Sequence, residues 1–221
     1  LFKNKNYKLI NDLKSIKEHD YYQNLLSLPK IYFDKNESFI KNVNFIKSEK
    51  EIDNKWRTKL KDDNKFKVGI FWQGNKNYYG DNRRSIPLKE FEKIIYNKNI
   101  SVVSLQKGDG LDQIKLNGYG NNIKDFSNIV DNDDDAYKDT ISILKNLDLL
   151  ITSDSSLVHL AGTMQINTWL LLCYNPDWRW YIDINKSTFY ETVKIFQQNT
   201  PGNWKDVFKK IDHELQNLFK K

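Results

Sequence analysis

From residue 66 onward the apolar positions fall into two alternating patterns. Short runs of β-branched, aromatic and aliphatic residues occupy 67–72 (KVGIFW), 100–105 (ISVVSL), 122–126 (NIKDF), 148–152 (DLLIT), 168–173 (TWLLLC) and 192–196 (TVKIF). The intervals 88–97, 108–118, 134–146 and 155–165 read as helical or loop stretches. A last helix over about 203–219 sets Trp204, Val207, Phe208, Ile211, Leu215 and Leu218 on one face. Nearly continuous apolar strands separated by helices predict an α/β fold, a Rossmann-like parallel sheet covered on both sides. Six such strands predict the doubly wound order 3-2-1-4-5-6. The ligand crevice then lies at the carboxyl ends of strands one and four.

Upstream the pattern is different. Tyr7, Ile10, Leu13 and Ile16 predict a modest amphipathic helix within 1–20, and Leu25–Pro29 reads as an extended segment stopped by proline. A helix ending near Trp56 and Leu60 leads into the polar linker 61–65. The expected division is therefore 1–65 and 66–221, and a chain that opens on Leu1 reads as a piece of a longer one.

The stretch 148–165, DLLITSDSSLVHLAGTMQ, organises the rest. Its apolar run passes through a polar turn into a helix with Leu157, Leu160, Ala161 and Met164 on the inner face. Asp154 or Ser153 is expected to cap that helix. Unpaired N–H groups, the hydroxyls of Ser155 and Ser156 and the imidazole of His159 would then gather at one spot, and a helix start of this kind favours phosphate. The plainer alternative is an ordinary capped strand-to-helix turn.

Strand one ends in Gln73-Gly74, on the other side of the expected crevice. The long loop that follows, 73–87, carries Arg83 and Arg84, cations suited to a diphosphate or else to nearby acids. Strand two ends in Gln106-Lys107: the lysine is a candidate phosphate partner and the glutamine a candidate reader of base or sugar. Asp139 and Thr140 can reach a ribose, although a solvated face is the plainer account of them. Trp178 and Arg179 can stack on and hold a ligand, or belong to the core. The acidic run from Asp131 fails as an EF-hand, since Ala136 stands where glycine is needed and Ser142 where the closing glutamate belongs; no metal is expected. No G-x-G-x-x-G, P-loop or G-x-S-x-G signature occurs, which disfavours nicotinamide, kinase and hydrolase chemistry.

Composition narrows the classes further. With 39% hydrophobic and 14% aromatic residues the chain can build a core. Its net charge of +6 is scattered and forms no dense basic block, so no nucleic-acid partner is expected. The longest apolar runs fall far short of a membrane span. The single cysteine, Cys173, excludes an internal disulfide framework, and with no visible signal peptide the expectation is a cytoplasmic protein.

Five motifs stand in one order: VGIFWQGN at 68–75, DNRRSIPL at 81–88, SLQKG at 104–108, SDSSLVHLAG at 153–162 and WLLLCYNPDWRWYID at 169–183. Together they resemble the carboxyl-terminal region of bacterial glycosyltransferases that often carry tetratricopeptide repeats. Those proteins are similar to heptosyltransferases and, more distantly, to protein O-GlcNAc transferases. The resemblance covers residue 66 to the end, with 25–29 similar to the tail of a preceding half. It implies a GT-B fold whose second Rossmann-like half holds a nucleotide sugar, with residues 1–65 a remnant of the first half and a linker. It also implies that Asp154, Ser155, Ser156 and His159 occupy the family's D-[ST]-x-x-x-H-L-A turn. Gln73, Gly74, Arg84, Gln106 and Lys107 would line the same donor pocket.

The implied activity is metal-independent transfer of a sugar from a nucleoside diphosphate to a glycan or protein hydroxyl, with no cofactor. The catalytic base would come from the missing amino-terminal half of the same protein, so this chain would bind donor and transfer poorly alone. The competing expectation is a noncatalytic nucleotide-sugar-binding or interaction module of a repeat protein.

Overall fold

The structure, a computed structural model, describes residues 46–61, 64–132, 137–180, 187 and 189–220. All of them lie in the second of two compact units, Asn42–Lys221. The segments expected over 1–20 and at 25–29 fall outside the described residues.

Six parallel strands form one sheet: β1 (Phe66–Phe71), β2 (Ile100–Ser104), β3 (Ile123–Asp125), β4 (Leu149–Ser153), β5 (Thr168–Leu172) and β6 (Val193–Gln197). Their order is β3-β2-β1-β4-β5-β6, the doubly wound arrangement anticipated from the pattern. Strands β2, β4 and β5 are buried along their whole length, which is why they read as continuous apolar runs.

Alternate residues feed opposite faces. Val68, Ile70, Leu149, Ile151 and Leu171 join one core, against the 3₁₀ turn Leu88–Phe91, the short helix Glu92–Ile95 and the long terminal helix Lys205–Phe219. Val103 and Leu150 face another core, against helices Lys50–Lys59 (α1), Lys138–Lys145 (α5) and Ser156–Thr163 (α6). Leu170, Leu172 and Val193 pack with Val158 and Trp180 in a third. The sheet is thus covered on both sides.

Several predicted elements differ in extent. The helical stretch expected over 108–118 shrinks to Asp112–Leu116 (α4), because Gly108 and Gly110 take left-handed φ values of +74° and +88° and hold the preceding turn open. A short helix, Asp81–Arg84 (α2), interrupts what the pattern showed as loop, and α3 is only Glu92–Ile95. Helix α1, upstream of the boundary drawn at 65, belongs to the same compact unit as the sheet. It docks on α5 through Trp56, whose indole N–H donates to Asp139, and through Asp53, which accepts from Lys145 at 2.6 Å.

Candidate donor site at the carboxyl edge of the sheet

β1 and β4 are neighbours, with Phe71 in register with Thr152, so the loops that follow them leave the sheet side by side. One side chain ties those loops together. Arg84 donates from Nη1 to the backbone carbonyl of Asp154 at 3.0 Å and from Nε to Asp81 Oδ1 at 3.0 Å, while Tyr78 lies against its guanidinium face. Asp81 is buried, and its second oxygen accepts from the Ser85 hydroxyl at 2.8 Å. Gly74 sits under this network. A Cβ there would come within 2.4 Å of both Arg84 Nη2 and Asp81 Oδ1, so any side chain would push this network aside.

Beside this strap is a cavity of about 470 Å³ lined by Phe71, Gln73, Gly74, Asn75, Arg84, Lys107, Gly108, Asp109, Ser155 and Ser156. Six of the residues singled out from the sequence therefore meet in one hollow: Gln73, Gly74, Arg84, Lys107, Ser155 and Ser156. At its floor begins α6. The cap is Ser155, whose backbone is extended and whose Oγ accepts the Leu157 N–H at 3.3 Å. The expectation of an Asp154 or Ser153 cap is corrected: Ser153 is fully buried in the sheet, and the Asp154 carboxylate faces Trp180 and His159 instead.

Gln106 is built into the scaffold. Its Oε1 accepts Trp72 and Gln73 N–H at 3.1 and 3.0 Å, and its Nε2 donates to the Gln73 and Asp109 carbonyls at 2.6 and 2.7 Å. The amide spends its bonding capacity on the β1 and β2 loops. Lys107 donates to the carbonyls of Val130 and Asp131 at 2.7 and 2.8 Å and to Asn132 Oδ1 at 3.3 Å, drawing the segment after β3 toward the cavity.

Asp139 and Thr140 lie elsewhere. Asp139 takes Trp56 and Lys55 on one oxygen and the Asp131 N–H on the other, and the Thr140 hydroxyl donates to Asp131. Burial pushes the Asp139 carboxyl up, but these donors outweigh it and leave the pKa below the usual value. Asp131 in turn accepts from the Asp139 N–H at 2.8 Å and so satisfies the start of α5. The rest of the acidic run, 133–135, falls outside the described residues.

A second polar cluster adjoins the site on the β5 side. His159 stacks on Trp180 with ring centroids 5.3 Å apart, and its Nδ1 meets the Tyr190 hydroxyl at 3.0 Å. Burial raises the Asp154 pKa; the Trp180 indole beside it, His159 and Arg179 pull it back only in part. Burial lowers the His159 pKa against the pull of Asp154, which favours the neutral imidazole. Arg179 pairs with Asp177 at 3.4 Å, Trp178 is exposed, and Arg83 is exposed on the opposite loop. Sequence reasoning missed Asp81, Tyr190 and Tyr137, whose hydroxyl lies 3.0 Å from Ser156 Oγ. Only Asp81 left a local trace, an acid three residues before Arg84 at the spacing of a helical ion pair.

The sequence matches no family model and no curated protein. Solved structures do match. The likeness is one of fold. The ADP-heptose lps heptosyltransferase II of E. coli superposes with a TM-score of 0.51 at 10% identity, covering 78% of this chain and 54% of that one. The E. coli heptosyltransferase WaaC with ADP gives 0.50 at 13% identity, covering 92% and 59%. The chain thus spans just over half the length of either enzyme, and its Rossmann-like sheet matches those of GT-B glycosyltransferases. Among the described residues no helix is long and apolar enough to cross a membrane.

Proposed function

We propose that this domain binds a nucleoside-diphosphate sugar across the loops after β1 and β4, as the donor-binding half of a glycosyltransferase. The observation that carries the reading is the Arg84 strap to Asp154, which puts a cation at the switch point of a doubly wound sheet. The cavity beside it also takes Lys107 and the start of α6. Arg84, Lys107 and the free N–H groups near Ser156 suit a diphosphate; Asp154 and His159, on the β5 side, suit the hydroxyls of a sugar.

In that role the domain stabilises the charge that grows on the nucleoside diphosphate as an acceptor hydroxyl displaces it at the anomeric carbon. Cations and backbone N–H groups fixed in advance need no rearrangement when that charge appears. A glycan or protein hydroxyl is the acceptor, no metal is required, and the base that takes its proton comes from a preceding half of the protein. The heptosyltransferase likeness supports this reading through the fold.

One observation favours a second reading, a noncatalytic nucleotide-sugar module. The Lys107 ammonium is held by three oxygens of residues 130–132 and must exchange at least one of them for a phosphate. Titration of the chain with ADP-, UDP- and GDP-sugars, followed by turnover in a two-half protein, separates the two. Binding with turnover supports the enzyme, binding without turnover the module, and no binding by any of the three refutes both.

A further inference from the structure

Tyr137 breaks two local rules at once. It precedes α5 in the left-handed region, with φ +71° and ψ 5°, where a Cβ crowds the backbone and glycine or asparagine is usual. It also stands at the N-cap, a place for Ser, Thr, Asp or Asn, and its side chain caps nothing. The helix is capped from elsewhere. Asp131 Oδ1 accepts the Asp139 and Thr140 N–H groups at 2.8 and 3.4 Å, and its other oxygen accepts the Thr140 hydroxyl. On backbone grounds alone glycine would suit position 137 better. A residue that contradicts its local preferences marks either strain or a function carried by its side chain.

That side chain reaches the candidate site. The phenol is exposed, and its hydroxyl lies 3.0 Å from Ser156 Oγ, 19 residues further along the chain. Ser156 is the first residue of α6 and lines the cavity beside the Arg84 strap. Lys107, another lining residue, grips the Val130 and Asp131 carbonyls and Asn132. The chain between β3 and α5 is thus held at 130–132 and again at 137, each time by a residue of the cavity wall. A surface bond between two neutral hydroxyls competes with water and adds little to stability. For binding it matters more, because a serine already fixed in place loses less freedom when a ligand arrives.

We propose that Tyr137 is a positioning residue of the donor site, fixing Ser156 where the diphosphate of a nucleotide sugar binds. The ligand half of this statement rests on the proposed function; the Tyr137–Ser156 contact does not. The diphosphate is the group addressed, because Ser156 opens a helix whose first N–H groups and dipole favour an anion. It also shares its cavity with Arg84 and Lys107. The left-handed backbone at 137 is then kept for binding and not for stability.

Calorimetric affinities for ADP, UDP and GDP and for their glucose conjugates test this in Tyr137→Phe, Ser156→Ala and the double variant of the full chain. For whichever nucleotide binds, Tyr137→Phe should weaken binding about fivefold, the effect of one neutral hydrogen bond. The loss should be the same for the free diphosphate as for the nucleotide sugar. Because Tyr137 acts through Ser156, the double variant should bind no more weakly than Ser156→Ala alone. Losses that multiply, a loss confined to the sugar form, or unaltered binding by Tyr137→Phe each overturn the proposal. Melting supplies a readout that a merely structural tyrosine would not give. Tyr137→Gly, which relieves the backbone, should melt about 2 °C above Tyr137→Phe and bind no better. A glycine variant that melts below the phenylalanine one shows a ring kept for packing and overturns the proposal as well. If none of the three nucleotides binds the unaltered chain, the donor site fails and the role of Tyr137 in it fails too. The contact itself is then decided by melting shifts in the same cycle: non-additive shifts uphold it and additive ones remove it.

Discussion

Arg84 Nη1 and the carbonyl oxygen of Asp154 are 70 residues apart in sequence and 3.0 Å apart in space. That single bond closes the rim of the sheet where β1 and β4 diverge. It leaves the remaining guanidinium donors at the cavity wall, oriented by Asp81 and backed by Tyr78.

Replacing Arg84 by lysine keeps the charge but cannot bond Asp81 and Asp154 together. Arg84→Lys should weaken nucleotide-sugar binding by about 1.5–3 kcal/mol, as expected for a charge-assisted bond, with a folded domain. Calorimetric titration of both chains measures it; affinity equal to that of the unaltered chain removes Arg84 from the site.

Gly74→Ala introduces a Cβ where Arg84 Nη2 and Asp81 Oδ1 stand. The strap must move, at a cost of about 1–3 kcal/mol in stability and a parallel loss of binding. Denaturant unfolding checks the first quantity. An alanine variant as stable as the parent means the β1 loop has slack that the contacts do not show.

Asp154 bears on stability through pH. Its folded pKa lies above its unfolded value, so its contribution to stability is fully present below the unfolded pKa and is lost as pH rises through the folded one. Burial of the carboxyl therefore opposes folding more as pH rises. Asp154→Asn should raise the melting temperature at pH 7, by an amount that shrinks toward pH 4, while weakening sugar binding. His159 has the opposite sign: its pKa is lowered, so its contribution is present above the unfolded value near 6.5 and lost as pH falls. Melting curves of Asp154→Asn and His159→Gln across pH 4–8 test both signs, and a melting temperature lowered at pH 7 by Asp154→Asn contradicts the first.

Asp139→Ala removes the acceptor that docks Trp56 and Lys55 of α1 on α5. Loss of a charged acceptor from a buried indole should cost about 1–3 kcal/mol. Nucleotide-sugar affinity should change less than about twofold, because Asp139 lies outside the cavity wall. A large loss of affinity at unchanged stability would return Asp139 to the ribose.

The strands were legible because a buried parallel sheet demands mostly apolar residues on both faces, and β2, β4 and β5, buried at every position, supply them with only Ser101, Ser104, Thr152, Ser153 and Thr168 as polar interruptions. The crevice followed from strand order, and with it the meeting of Gln73-Gly74 with Ser155-Ser156. What the chain did not reveal is how each side chain is spent. Gln106 and Asp139 carry the chemistry of binding residues, yet the first clamps two loops and the second seats a helix. Both roles depend on partners 33 and 83 residues away. Tyr190 was invisible for the same reason: its contact with His159 spans 31 residues and leaves no local spacing. The cap moved from Asp154 to Ser155 because a neighbouring indole and imidazole gave the carboxylate another place to point.

The most direct test is amide hydrogen exchange with and without ADP-, UDP- and GDP-glucose. The account predicts that a binding nucleotide sugar slows exchange in both 73–75 and 154–157 together. Binding that protects only one of these loops, or neither, contradicts a donor site built by their convergence.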